Sequence, residues 1–257
     1  QQPDEIRAKL PDLVRLLSPL PVDLALTTNG ATLGLLATEL AEAGLGRINV
    51  SLDSLRRDRF EELTLRDGLA RVLDGIEAAL AVGLSPVKVN VVVMRGLNDD
   101  ELVDFARFGR ELGVTVRFIE FMPLDAEEAW SEAAVVSLEE IVATIGAVYP
   151  LEPLARSNAP ATRFRYIDGG GEIGVVASVT QSFCDSCDRI RLTADGQFRN
   201  CLFATEEFDL RGLLRSGASD DEVADLIKRA VAAKWAGHGI GRVDFIRPAR
   251  SMSQIGG

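Results

Sequence analysis

Between residues 22 and 122, short apolar runs alternate with amphipathic stretches, and this alternation restricts the chain to βα architectures. Val22–Leu26 is an apolar run ending in Thr27-Thr28-Asn29-Gly30. Leu33, Leu36, Leu40 and Ala43 follow at mostly three- and four-residue spacing, which predicts a helix stopped by Gly44 and Gly46. Ile48–Asp53 reads as a second strand. Leu69, Val72, Leu73, Ile76 and Leu80 mark one helical face, closed by Gly83. Val87–Met94 is β-branched and reads as a third strand. Asn98, with Glu101 three residues on, predicts a capping box before a helix whose apolar face is Leu102, Phe105, Ala106 and Leu112. Val114–Met122 is the fourth strand. Strands separated by helices of this length imply a mostly parallel sheet.

The strands end in polar residues: Thr27, Thr28 and Asn29; Ser51 and Asp53; Glu120 and then Met122. Ligands of parallel α/β folds sit at these C-terminal ends. Taken singly such residues cap helices and close loops, but several together favour a site. After Pro123 the pattern changes. Residues 124–136 read as an acidic, Ala-rich loop, and Ser137 with Glu140 forms a capping box. Residues 163–168 and 172–178 read as antiparallel strands joined through Gly169-Gly170-Gly171, and Asp220–Trp235 as a helix. The division expected is residues 1–125 as a barrel portion and 126–257 as an α+β extension.

The balance of 28 Lys and Arg against 39 Asp and Glu gives a net charge of −11. A net-acidic surface repels phosphate backbones, which argues against a nucleic-acid binder. No apolar run approaches the roughly 18–20 residues of a membrane span. The start, Gln-Gln-Pro-Asp-Glu, has neither a charged n-region nor an apolar h-region, so no signal peptide and a cytoplasmic location are expected.

The three cysteines all lie within residues 184–201, spaced C-x2-C-x13-C. That is no disulfide framework but a metal or redox site of a reducing compartment. Cys184 and Cys187 reach one centre from a tight turn. Cys201 returns on a hairpin from Ile190–Thr193 through Ala194-Asp195-Gly196 to Gln197–Leu202. Three gathered thiolates repel unless a cation holds them. A Cys3His zinc site using the one histidine, His238, satisfies a four-ligand count. Three thiolates alone suit a [4Fe–4S] cluster with one open iron. Buried cysteines without metal are the plainer alternative. Arg189 and Arg191 alternate along a strand and so share a face, with Arg199 on the partner strand. Guanidinium groups beside an open metal position point to an anionic ligand; in isolation they read equally as surface partners of Asp185, Asp188 or Asp195.

The run Cys184-x2-Cys187-Asp-Arg-Ile-Arg-Leu-Thr-Ala-Asp-Gly, with Asn200-Cys201-Leu202, resembles the C-terminal motif of the radical SAM GTP 3′,8-cyclases of molybdenum cofactor (molybdopterin) biosynthesis. Leu26–Gly30, Val50–Ser54, Lys88–Asn90, Arg117–Pro123, Gly237-His238-Gly239 and Met252-x-x-Ile-Gly-Gly257 fall in that family's order. The resemblance implies an incomplete TIM-like (βα) barrel of the radical SAM type, lacking its first strands, with a C-terminal α+β extension. It implies that Cys184, Cys187 and Cys201 hold a [4Fe–4S] cluster whose open iron meets the guanine. Arg189 and Arg191 would lie along GTP, and Lys88 and Thr27 would also touch it. Ser51 and Met122 would line the S-adenosylmethionine site, and Gly256 and Gly257 would reach the active site as a tail. Arg189, Arg191, Gly256 and Gly257 would be the catalytic set. The implied reaction takes a hydrogen from C3′ of GTP with a 5′-deoxyadenosyl radical, and C3′ then attacks C8. The product is 3′,8-cyclo-7,8-dihydro-GTP.

Implied partners are GTP, a reductase as electron donor, a downstream cyclic pyranopterin monophosphate synthase, and a second copy of the chain in a homodimer. The complete family enzyme also uses a second [4Fe–4S] cluster, held by C-x3-C-x2-C ahead of a GGEP segment. Neither motif is in these residues, so the chain reads as a fragment or truncated member, inactive alone. Two alternatives stay open: an iron–sulfur and GTP-binding module without catalysis, or the Cys3His zinc protein. Asp188, where the family often has Asn, adds a negative charge that Arg189 or Arg199 would have to pair.

Overall fold

The computed structural model describes residues 9–124, 130–234, 237, 240 and 245–255. The chain divides into two compact units, residues 1–121 with 134–177, and residues 122–133 with 178–257. Among the described residues no helix is long and apolar enough to cross a membrane.

The first unit runs α1 (Leu10–Leu17), β1 (Ala25–Thr28), α2 (Leu33–Glu42), β2 (Arg47–Ser51), α3 (Arg57–Thr64), α4 (Leu69–Ala81), β3 (Val87–Val93), α5 (Leu102–Leu112) and β4 (Thr115–Glu120). It continues after residue 134 with α6 (Leu138–Gly146), β5 (Leu151–Pro153), β6 (Thr162–Tyr166) and β7 (Glu172–Val176). Its strands form one sheet of order β1-β2-β3-β4-β7-β6-β5. Neighbours from β1 to β4 and on to β7 are parallel, whereas β6 and β5 add antiparallel. The architecture is therefore α/β with a mainly parallel sheet, and among the described residues no pairing closes β1 onto β5.

The hairpin β6–β7 was expected in the extension. It belongs to the first unit because β7 lies beside β4, Val116 opposite Ile173 and Phe118 opposite Val175. The first strand also sits later than its apolar run. Pairing begins at Ala25 opposite Arg47, and Val22 is left exposed after Pro21.

One sheet face is apolar by strict alternation. Val87, Val89, Val91 and Val93 of β3 are buried beside Ile48 and Val50 of β2 and Val116 and Phe118 of β4. Leu33, Ala37 and Leu40 of α2 and Val72, Ile76 and Ala79 of α4 join them in one core. Gly30 has φ +77°, and a Cβ there would stand 2.9 Å from the Val72 methyl and 3.0 Å from that of Val50. The Thr-Thr-Asn-Gly turn thus needs glycine both for its backbone and for space.

Asn98 and Glu101 make no capping box, contrary to the expectation from their spacing. Asn98 donates to the carbonyl oxygens of Asp53 and Val92 and accepts from the Met94 N–H. Fully buried Glu101 accepts from Ser54 Oγ, the Leu55 N–H and Arg59. Both residues brace the turn after β2, and α5 starts after a 3-10 turn, Asp99–Glu101. The Ser137–Glu140 box is present at α6.

The second unit contains β8 (Arg191–Leu192), β9 (Gln197–Arg199), β10 (Phe208–Asp209), α7 (Leu210–Arg215) and α8 (Asp220–Ala232). The three strands form an antiparallel sheet of order β10-β9-β8. Phe198, Leu210, Leu226 and Ala230 make its small core.

Candidate functional site: a thiol and arginine cluster and a cationic sheet face

Each thiol is placed by a local device. Cys184 opens a 3-10 turn, Cys184–Ser186, closed by the Cys187 N–H on the Cys184 carbonyl at 3.1 Å. The β8–β9 hairpin turns at Gly196, with φ +80°, and Cys201 follows two residues after β9. Between them, Asn200 donates to the Ala230 carbonyl at 2.8 Å and ties that strand end to α8.

All three cysteines are free and half-buried. Each sulfur has a donor aimed at it: Ser182 Oγ on Cys184 at 3.0 Å, the Phe203 N–H on Cys201 at 3.4 Å, and Arg189 on Cys187 at 3.0 Å. Cys187 also receives Lys234 Nζ at 3.4 Å. Burial pushes the Cys187 thiol up, but the Arg189 N–H groups and charge, with Lys234, outweigh it and hold the thiol below its ordinary value.

Arg189 lies before β8 rather than on it, so strand alternation does not set its direction. Its guanidinium stacks on Phe183 at 4.5 Å. Arg191 is half-buried and donates to the Ile255 carbonyl at 3.3 Å. Burial, then Arg189, pushes Arg191 below its ordinary value, with Arg199 adding to this and the Cys201 and Cys187 thiols opposing it. Arg191 thus stands in the field of two thiols and two further guanidiniums. Ile255 directly precedes Gly256 and Gly257; those two residues and His238 lie outside the described residues. The Asp188 carboxylate is exposed, and Arg199 pairs instead with Glu207.

Among the described residues no group of three His, Cys, Asp or Glu side chains converges closely enough for a single metal ion. A cluster of several irons spreads its thiolate ligands around a larger body. The donor set fits such a group: three thiols, each with an O–H or N–H donor on its sulfur. The second cluster of the complete family enzyme finds no cysteine here beyond these three.

The polar face of the first unit's sheet carries the other expected residues. Thr27, Asn49, Lys88 and Thr115 stand in one row across β1 to β4, and Ser51, Asn90, Arg117 and Gly174 in the next. Asn49 donates to Thr27 Oγ at 3.0 Å, while Arg117 donates to Asn49 and Asn90, each at 2.9 Å. Half-buried Lys88 has no hydrogen-bond or ion-pair partner among the described residues. Burial, then Arg117 and Arg47, holds its ammonium below the ordinary value, and Glu172 opposes this. Arg47 is paired with Asp23. Asn49 and Arg47 are not among the residues expected from sequence; the period-2 alternation of β2, with Ile48 and Val50 buried, is the signal that marks them on the polar face.

Ser51 lines a cavity of about 300 Å³ at the C-terminal ends of β1 and β2, with Asn29, Asp53, Thr64, Arg66 and Arg71. The Asn29 amide nitrogen is buried there without a partner. Asp53 accepts the Val92 N–H at 2.8 Å, yet burial pushes its carboxyl up to about 6. An unsatisfied donor and a carboxyl fit a polar ligand such as S-adenosylmethionine. Met122 falls in the second unit, its carbonyl accepting the Leu124 N–H at 2.8 Å.

The family model for the Radical SAM superfamily matches residues 4–109, and that for Molybdenum Cofactor Synthesis C matches residues 114–240. Together with the mainly parallel sheet, these matches define a radical SAM protein with a molybdenum cofactor synthesis region. A GTP 3′,8-cyclase of Moorella thermoacetica is 47% identical over 256 residues, 98% of this chain and 78% of that protein. GTP 3′,8-cyclase 2 of Mycobacterium tuberculosis strain H37Rv is 49% identical over 248 residues, covering 94% and 68%. The GTP 3′,8-cyclase of Streptomyces coelicolor is 49% identical over 247 residues, covering 95% and 72%. A solved structure of TYW1 with a lysine–pyruvate adduct aligns at a TM-score of 0.44 and 13% identity, over 60% of this chain and 50% of that one. The chain belongs to the GTP 3′,8-cyclase family.

Proposed function

We propose that the chain binds GTP and serves the formation of the bond between ribose C3′ and guanine C8. Cys184, Cys187 and Cys201 hold a [4Fe–4S] cluster in this reading. When bound, it supplies an open, Lewis-acidic iron for the guanine. The observation that carries the reading is the pair Arg189, bonded to Cys187 Sγ at 3.0 Å, and half-buried Arg191, which lies in the field of the Cys187 and Cys201 thiols. A site so rich in guanidinium next to thiolates is built for an anion.

The chain's own residues bind and orient. Arg189 and Arg191 offer N–H donors to the nucleotide. On the sheet face of the first unit, Lys88 offers an uncommitted ammonium to phosphate, while Thr27 is fixed by Asn49 as a second contact. Ser51 lines the cavity that would take S-adenosylmethionine, and the role of Met122 as a contact to that cofactor rests on the family motif alone. Gly256 and Gly257 continue a chain that passes Arg191 at Ile255, which supports their reading as an active-site tail.

Calorimetric titration of GTP and guanosine into the iron-reconstituted chain tests this. Lys88→Ala weakens GTP about tenfold, near 1.4 kcal/mol, and leaves guanosine unchanged. Equal GTP affinity in the variant removes Lys88 from the phosphate site.

A further inference from the structure

The three thiols are not equivalent. Among the described residues Cys184 receives a neutral hydroxyl and Cys201 a backbone N–H, whereas Cys187 receives two cations, Arg189 at 3.0 Å and Lys234 Nζ at 3.4 Å. Lys234 is two residues beyond the end of α8, 47 positions from Cys187 in sequence. Its ammonium is held in place by a second bond, to the Arg189 carbonyl at 2.8 Å. A half-buried lysine whose hydrogen bonds go to a sulfur and a carbonyl has been put there for the sulfur's charge, because an ordinary surface lysine keeps its ammonium in water. Hydrogen bonds to ligand sulfurs and the local charge are what set an iron–sulfur potential.

We propose that Lys234 is a positioning and tuning residue of the thiolate site. Its ammonium, shared between Cys187 Sγ and the Arg189 carbonyl, fixes the Cys187–Arg189 segment and raises the reduction potential of the cluster held there. The proposal rests on the reading of Cys184, Cys187 and Cys201 as cluster ligands. Lys234 bears on two elements of that site together: a ligand, and the backbone of the arginine beside it. Loss of the cation leaves the added electron of the reduced cluster less stabilised, so the potential falls.

The test is an EPR-monitored redox titration of the whole chain after anaerobic reconstitution with iron and sulfide, for wild type, Lys234→Met and Lys234→Arg. The expected result is unchanged iron content with a more negative midpoint in Lys234→Met, restored most of the way in Lys234→Arg. Wild-type chain that takes up no iron overturns the cluster reading and this inference with it. Wild type that loads, with the same midpoint in Lys234→Met, overturns this inference alone. Should Lys234→Met fail to load, full loading of Lys234→Arg supports the requirement for a cation, and failure of both reduces Lys234 to a folding role and overturns it.

Discussion

Arg191 and Arg199 stand directly opposite each other across β8 and β9, and Glu207 takes the charge of the second. Like charges facing across a strand pair repel. Arg199 resolves this by turning inward, where it is 2% exposed and also donates to the Leu202 and Ala204 carbonyls. Arg250 completes the frame by bridging Glu207 to Asp195 of the hairpin turn. Arg199 is structural, whereas Arg191 donates to the Ile255 carbonyl and lies in the field of the Cys201 and Cys187 thiols.

The two should separate on substitution. Arg199→Ala leaves Glu207 to Arg250 alone, strips the Leu202 and Ala204 carbonyls of their guanidinium donor and empties the space that side chain fills, and lowers unfolding stability by about 3 kcal/mol. Arg191→Ala costs little stability, because folding already holds that guanidinium below its ordinary value, but it weakens GTP by about tenfold or more. Denaturant melts and GTP titrations on both variants check this; a stable Arg199→Ala chain contradicts the assignment.

Asp53 gives a pH signature. Its folded value is raised from 3.8 to about 6, so the carboxyl favours folding when protonated. That contribution is complete below about 4 and is lost as pH rises through about 6, at a cost on the order of 2–3 kcal/mol at neutrality. Asp53→Asn keeps an acceptor for the Val92 N–H and removes the charge. The variant is therefore more stable than wild type at pH 7.5 and equal to it at pH 4. Parallel pH dependence of the two in urea melts would refute the buried-carboxyl account.

Gly30→Ala tests the turn after β1. The added methyl meets Val72 and Val50 at about 3 Å in a left-handed backbone, and the combined strain costs at least about 2 kcal/mol. A thermal melt reads the loss directly.

How much of this was legible in sequence follows from the range of the interactions. The β-branched run of β3 and the boxes at Ser137 and Ser219 are local, and the first two are legible directly. Asn98 and Glu101 carry the spacing of a cap, but their partners Asp53 and Ser54 lie more than forty residues away, and those contacts decide. The place of β7 beside β4 is equally long-range. Helix α3 escaped notice because only Phe60 of its residues is buried, which leaves no apolar periodicity to see. The thiol spacing points to Cys184, Cys187 and Cys201, the position of Arg189, Arg191 and Arg199 beside them to an anion, and the family motif to GTP as that anion. Lys234 sits at a helix end, where a lysine ordinarily needs no explanation.

The most direct measurement is an iron and acid-labile sulfide count on the anaerobically reconstituted chain, with absorption and EPR spectra recorded with and without GTP. The account predicts about four irons per chain, held by the three thiolates, and spectra that GTP perturbs. A chain that takes up zinc instead, or no metal, contradicts it.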